Sequence, residues 1–426
     1  MREAPGPAEA GRSILLVAYF YPPCPDTGAH RPGTMAKYLR RLGHRVTVLT
    51  TGAYGHLEGE AERGIERTSD AQLWRARVHG RDRIDALYGS DTYSGRPHPL
   101  SRVIVPEPLA AAWTPFARSR ALRLHRRERF DCVITSSPPE SIHAVGLALR
   151  RRGVAWVADL RDAWTFEPLR PPFPTTAQRR LDERLERRWL RAADRVVCVS
   201  QPVADDLRSR LGIEPAMVHN GWDPELARDS ARASVADLLD PERVSLVYTG
   251  RFGSYGRDPR ALLEALATLA GEDPEAVSRL ELVIAGPLTA EEDALLRSAP
   301  VAPARIVIAG SLPRADALAL QREADALLLL ASSRRSQLAN FKLYEYLAAG
   351  RPILALAAGT EAGRIVAESG GEAVSADDPE GITRALRRLL DGALAAPGDE
   401  AQHFYSYPAV AERMAEVVES TIRASR

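Results

Sequence analysis

Short apolar runs alternate with helix-patterned segments along almost the whole chain, and few folds accommodate that pattern. Runs such as Cys132–Thr135, Val154–Asp159 and Ala326–Leu330 are continuous rather than alternating, which marks strands covered on both faces. Strands of that kind, separated by helical segments, call for parallel sheets with helices above and below.

In the first half the strands are expected at Ile14–Tyr19, Arg45–Leu49, Cys132–Thr135, Val154–Asp159 and Arg195–Val199. Helices are expected near Arg31–Leu42, Pro115–Arg129, Ser141–Arg151, Thr176–Ala193 and Pro202–Leu211. Thr51–Pro108 is poorly patterned and rich in Gly, Arg and Asp, so it reads as an excursion of loops and short strands. The turn cluster His219–Pro224 and a polar stretch running to Arg243 mark the best domain boundary. A second series follows, with strands at Ser245–Thr249, Leu280–Ala285, Arg305–Ala309, Ala326–Leu330, Ile353–Ala357 and Glu372–Val374. Its helices fall near Pro259–Leu269, Ala290–Ala299, Arg314–Glu323 and Pro379–Gly392, and a last helix, Pro408–Ala424, follows the aromatic residues Phe404, Tyr405 and Tyr407.

The expected organisation is therefore α/β: two tandem, doubly wound Rossmann-like domains. Residues 1–12 form a flexible start, 13–225 the first domain, 226–243 a linker and 244–402 the second domain. The remaining helical segment, 403–426, is expected to cross back to the first domain. Ligands of such sheets bind outside the carboxyl ends of the strands, so the site is expected in the cleft between the domains.

A length of 426 residues suits two domains of ordinary size, and 45% hydrophobic with 27% charged residues describes a globular chain. The net charge of +1 gives no global attraction to nucleic acid. Cys24, Cys132 and Cys198 form neither a metal-ligand spacing nor an even disulfide set, which fits a reducing cytoplasm. No signal peptide and no segment long enough to span a bilayer is legible.

Phe341–Ala349 carries the densest chemistry. It reads as a helix capped by Asn340, whose side chain can accept from first-turn N–H groups, and stopped by Gly350 and Pro352. Lys342 falls in the first turn, where the helix dipole disfavours a cation unless an anion docks beside it. It is also one of only two lysines, the other being Lys37. Glu345, about one turn later, is a carboxylate able to take the two hydroxyls of a ribose. Cation, carboxylate and helix mouth together point to a nucleoside diphosphate. The competing reading is a surface helix with a modest Lys–Glu pair.

Tandem domains with this helix late in the second resemble the GT-B glycosyltransferases, and within them family 4, whose members use nucleotide sugars with retention. The likeness runs from Ile14 to about Arg387 and is weakest over Thr51–Pro108. Tyr19-Phe20-Tyr21-Pro22-Pro23 with Gly28 and Arg31 resembles the family's first strand and glycine loop. Leu39–Thr50, Ala193–Ser200 and His219–Asp223 resemble further parts of its first domain. Tyr248-Thr249-Gly250-Arg251, Ala285-Gly286, Ala324-Asp325 and, most specifically, Glu345–Pro352 resemble its second.

The resemblance implies roles. Gly28 would let backbone approach the donor diphosphate, and Arg251 and Lys342 would neutralise charge on the leaving diphosphate. Glu345 would hold the ribose, Leu312 and Pro313 would bracket the base, and neither metal nor cofactor would be required. Three departures stand out. Gln337 occupies the place of the family's usual first glutamate, and a neutral amide bonds hydroxyls without supplying charge. Gly256 occupies the place of a second phosphate cation, so Arg257 is the expected substitute. Ser136-Ser137-Pro138-Pro139 stands where many members carry a histidine.

Asp162, after the strand Val154–Asp159, is a candidate for binding the acceptor or handling its proton, with a loop-capping role the alternative. His143 reads better as a packing histidine than a catalytic one, and His30 is a weaker cleft candidate. Two Arg-rich helices, around Arg118–Arg129 and Arg179–Arg191, raise peripheral contact with an anionic membrane. Leu181, Leu185 and Trp189 form a stripe among the arginines of the second, although a solvated helix face is the simpler account.

The leading expectation is an enzyme of polysaccharide biosynthesis moving a hexosyl group from a nucleotide diphosphate sugar to an acceptor hydroxyl on a glycan, lipid-linked or small-molecule substrate. A cytoplasmic monomer, peripheral at the inner membrane face if membrane-bound at all, is expected. The alternatives are a sugar-nucleotide epimerase and a degenerate nucleotide-sugar-binding scaffold, the latter favoured by Gln337. A dinucleotide oxidoreductase is disfavoured, because no Gly-x-Gly-x-x-Gly follows Ile14–Tyr19 and no acid ends Arg45–Leu49.

Overall fold

The computed structural model describes residues 11–24, 26–53, 64–70, 104–168, 173–229, 235–253, 258–332 and 337–425. Most of Thr51–Pro108 and all but the end of the 1–12 segment lie outside the described residues. The chain divides into two compact units, one running to Asn220 and resuming at Tyr407, the other comprising Gly221–Ser406.

The first unit holds β1 (Ser13–Val17), β2 (Arg45–Thr51), β3 (Ile65–Thr68), β4 (Cys132–Ser137), β5 (Ala155–Leu160), β6 (Arg195–Cys198) and β7 (Ala216–Met217). They form one parallel sheet in the order β3-β2-β1-β4-β5-β6-β7. Ile14 on β1 lies between Val46 on β2 and Cys132 on β4, so the winding reverses between β1 and β4. The short β3 was hidden in the unpatterned stretch, since Ile65–Thr68 carries a single apolar residue and is only half-buried.

One face of this sheet is covered by the His30–Arg41 helix and by the last helix, Tyr407–Ser425. Tyr407, Val410, Ala411, Met414, Val418 and Ile422 recur at helical spacing and are all buried in that core. Tyr407 stacks on Tyr38 at 6.3 Å, and Arg12 clasps Glu419 at 2.7 Å. The opposite face carries Trp156 on β5, with the helices Thr114–Glu128, His143–Arg150 and Thr176–Leu190 lying side by side.

The second unit repeats the winding with β8 (Val244–Thr249), β9 (Leu280–Ala285), β10 (Arg305–Gly310), β11 (Ala326–Leu330), β12 (Ile353–Leu356) and β13 (Glu372–Val374). Its order is β10-β9-β8-β11-β12-β13, all parallel, with the reversal between β8 and β11. Residues expected as linker are partly core here: Val235 is buried, and Leu238 and Leu239 pack beside it. Trp222 donates from its indole to the Gln402 carbonyl at 2.9 Å and joins the same core.

The first unit is pinned at its carboxyl edge by a buried ion pair. Arg31 grips Asp159 through two bonds of 2.8 and 3.1 Å, and also donates to the carbonyls of Val218 and His219. Burial opposes the charge on Asp159, but Arg31 and the Ser136 hydroxyl at 2.7 Å outweigh it and hold the carboxyl below its ordinary value. A depressed carboxyl contributes stability above its unfolded pKa and loses it as pH falls through the folded one. Arg31→Met strands a buried carboxylate and should cost about 3–5 kcal/mol in urea unfolding at neutral pH. Asp159→Asn should flatten the loss of stability on acidification.

Candidate active site

In a doubly wound sheet the binding crevice opens at the carboxyl ends of the strands flanking the reversal. In the second unit those strands are β8 and β11. Gly250 and Arg251 follow β8, and the Phe341–Ala349 helix enters from the β11 side. Asn340 caps that helix as its sequence implies: the side-chain oxygen accepts from the Leu343 N–H at 3.1 Å. Gly350 closes it in the left-handed conformation, φ 66°.

The fold brings Lys342 to the end of β8. Its Nζ sits 3.9 Å above the centre of the Tyr248 ring, a cation–π contact in which the buried ring orients the charge. A Cβ built on Gly250 would stand 2.8 Å from that Nζ, and Gly250 has φ +94°, so any side chain there is strained and displaces the lysine. The Tyr248 hydroxyl donates to the Arg251 carbonyl, which fixes the backbone there, and Arg251 is exposed.

Glu345 lies on the same helix, mostly withdrawn from solvent. Arg314 meets it at 2.8 Å, and the Gln321 amide approaches at 3.5 Å. Gln321 also donates to the Thr249 hydroxyl at 2.9 Å, and the Thr249 N–H donates to the buried Tyr346 hydroxyl at 3.0 Å. Glu345 is thereby tied to the last residue of β8. Burial raises its carboxyl above the ordinary value, and Arg314 is the largest influence opposing that rise. A raised carboxyl disfavours the charged form in the folded state, so ionising it costs stability as pH rises. A carboxyl group placed in such surroundings at the carboxyl edge of the strands is a candidate functional group.

Leu312 is half-buried and packs against the core, Pro313 is exposed at the start of the Arg314–Glu323 helix, and Arg314 follows them directly. The base-bracketing candidates are thus linked to Glu345 by one side chain. Gln337 is buried in the turn before Asn340. Arg257 lies outside the described residues.

In the first unit the reversal edge is built differently. Gly28 sits in a short 3₁₀ turn (Thr27–Ala29) whose N–H bonds the Asp26 carboxylate at 2.6 Å. Arg161, buried, donates to the carbonyls of Gly28, Pro138 and Ser137, clamping the loops after β1 and β4 together. A Cβ at Gly28 would meet Asp26 at 2.8 Å and Arg161 at 3.0 Å, so close packing also favours a glycine here. Asp162, half-buried, follows Arg161, and its charge acts on that guanidinium. His143 is fully buried between the hydroxyls of Thr135 (2.8 Å) and Ser137 (3.0 Å) and stacks on Trp164. Burial pushes its pKa down to about 3, which makes it a neutral packing residue.

Sequence reasoning missed Arg314, Gln321 and Thr249 as supports of Glu345, and Arg31, Asp159 and Arg161 as a scaffold. All lie in segments read correctly as strand ends or helices. Their pairings span tens of positions, and no local pattern encodes them.

Comparison with known proteins bears on this arrangement. Residues 33–226 match the family model "Glycosyltransferase Family 4", and residues 243–392 match "Glycosyl transferases group 1". The chain belongs to the family 4 glycosyltransferases. Its fold is GT-B-like. Sucrose-phosphate synthase from Thermosynechococcus elongatus is similar at a TM-score of 0.62 and 16% identity, covering 97% of this chain and 100% of that one. A glycosyltransferase from Rickettsia africae gives 0.59 and 14%, covering 97% and 99%. HepE from Anabaena, in complex with UDP, gives 0.59 and 13%, covering 96% and 100%. No curated protein sequence matches the chain.

Two tests follow from this geometry. Gly250→Ala should lower stability by about 1–2 kcal/mol through its left-handed backbone and weaken binding of a nucleoside diphosphate about as much as Lys342→Ala does, read by calorimetry. Binding should also weaken in acid as Glu345 takes up a proton. Arg314→Gln, which removes the opposing charge, should move that acid limb to higher pH in the same titration.

Proposed function

We propose that this glycosyltransferase moves a hexosyl group from a nucleoside diphosphate sugar to an acceptor hydroxyl, with retention at the anomeric carbon and without a metal. The observation that carries the reading is the meeting of Lys342 with Tyr248 and Gly250 at the reversal edge, with Arg251 next in the chain and Glu345 on the same helix as Lys342. Lys342 and Arg251 receive the diphosphate beside a helix N-terminus. Glu345 accepts from the two ribose hydroxyls, exchanging part of its contact with Arg314. Leu312 and Pro313 bracket the base, Gln337 bonds a sugar hydroxyl, and Arg257 adds a second cation. HepE, a neighbour in fold, was solved with UDP and with UDP-glucose, so a uridine donor is the first to try.

The bond that breaks joins the anomeric carbon to the diphosphate oxygen, and the new bond joins that carbon to the acceptor oxygen. Negative charge gathers on the departing diphosphate, where Lys342 and Arg251 stabilise it more in the transition state than in the ground state. The acceptor proton passes to the leaving phosphate oxygen or to Asp162, which we assign to the acceptor side. Epimerisation would need no acceptor at all, and this separates it cleanly from transfer.

Purified protein should melt higher in the presence of one nucleotide sugar among UDP-, GDP- and dTDP-linked donors, and should hydrolyse that donor slowly. At a hundred dissociation constants of ligand the gain is about 2.7 kcal/mol. Lys342→Ala and Glu345→Ala should each abolish the shift and the hydrolysis while leaving the unliganded melting point close to wild type. A shift without turnover, unchanged by any acceptor, would point to the scaffold reading. Absence of any shift would overturn the assignment of Lys342 and Glu345.

A further inference from the structure

The Thr176–Leu190 helix contains five arginines (Arg179, Arg180, Arg184, Arg187 and Arg188) and three acids, Asp182, Glu183 and Glu186. In sequence these mix, and the segment looks like an ordinary solvated helix. The fold sorts them. Asp182 and Glu186 are buried: Asp182 accepts from the Trp164 indole at 2.9 Å, and Glu186 takes the Thr165 hydroxyl at 2.6 Å and Arg210 at 3.0 Å. All five arginines are exposed, and Glu183 is the one exposed acid of the helix. Among the described residues, no carboxylate pairs with Arg180, Arg184, Arg187 or Arg188.

Apolar groups stand among these charges rather than beneath them. Leu181 is 46% exposed, and Leu185, one turn on, is partly exposed. Phe166 is 40% exposed, next to the Thr165 that bonds the helix. The Thr114–Glu128 helix, in the same layer, repeats the character: Arg118, Arg123, Arg126 and Arg127 are exposed, and Phe116 is 48% exposed. Predominantly positive charge with protruding Leu and Phe is the surface an anionic bilayer interface attracts, the cations meeting headgroups and the apolar tips entering the acyl boundary.

We infer that the outward face of this helix layer docks on an anionic phospholipid bilayer, with Arg180, Arg184, Arg187 and Arg188 binding headgroups and Leu181 and Phe166 inserting. Contact of this kind is peripheral, and among the described residues no helix is long and apolar enough to cross a membrane. Each cation near an anionic surface strengthens binding about fivefold at moderate salt, so four acting together dominate the affinity.

The test is co-sedimentation of the full chain with vesicles of phosphatidylcholine alone and with phosphatidylglycerol added, across a salt series. Binding is expected only when phosphatidylglycerol is present, weakening steeply with salt. The combined Arg180→Gln, Arg184→Gln, Arg187→Gln, Arg188→Gln variant should lose binding by more than tenfold, with its melting point showing that it folds. Leu181→Ser with Phe166→Ser should weaken binding at every salt concentration. Equal sedimentation with neutral vesicles, or binding unchanged by the arginine substitutions, would overturn the inference. So would arginine-dependent binding to soluble polyglutamate without binding to vesicles, which would make the partner an acidic protein.

Discussion

Parallel pairing is the constraint from which the rest of this structure follows. Every strand of a parallel sheet ends on the same edge, and the helices that return the chain must begin or end there. Where the winding reverses, between β1 and β4 and again between β8 and β11, neighbouring strands send their connections in opposite directions. The gap left at the edge is where residues distant in sequence can meet. Lys342 and Gly250, more than ninety positions apart in the numbering, are close because each follows one side of the same reversal.

The two units use their reversal edges differently. In the first, the edge is filled with protein-to-protein bonds: Arg161 ties the carbonyls of Gly28, Ser137 and Pro138, and Arg31 binds Asp159 and two more carbonyls. A buried guanidinium supplies several donors at once and can serve carbonyls that gather where strands end. In the second unit the edge instead presents charge. Lys342 rests on an aromatic face, and Glu345 is held in an environment that resists its ionisation.

Much of this was legible in the chain itself. Continuous apolar runs gave eleven of the thirteen strands among the described residues, because a strand buried on both faces has no polar register to obscure it. The two missed, β3 and β7, are short and partly exposed at the sheet edges, where burial imposes little pattern. Helix ends were legible where capping chemistry is local, as with Asn340 and Gly350. Candidate residues on the Phe341–Ala349 helix were equally legible, since a lysine in a first turn is anomalous wherever it occurs.

The sequence by itself determined the class of fold, the order of its elements, and the residue types available for binding a nucleoside diphosphate. Those depend on period, caps and turns, which are properties of neighbours along the chain. Only the tertiary structure decided that Arg314 and Gln321 brace Glu345, that Arg161 closes over Gly28, and that Asp182 and Glu186 turn inward to leave a predominantly positive face. Each of these depends on which groups lose their water together, and burial is a property of the packed chain rather than of any segment of it.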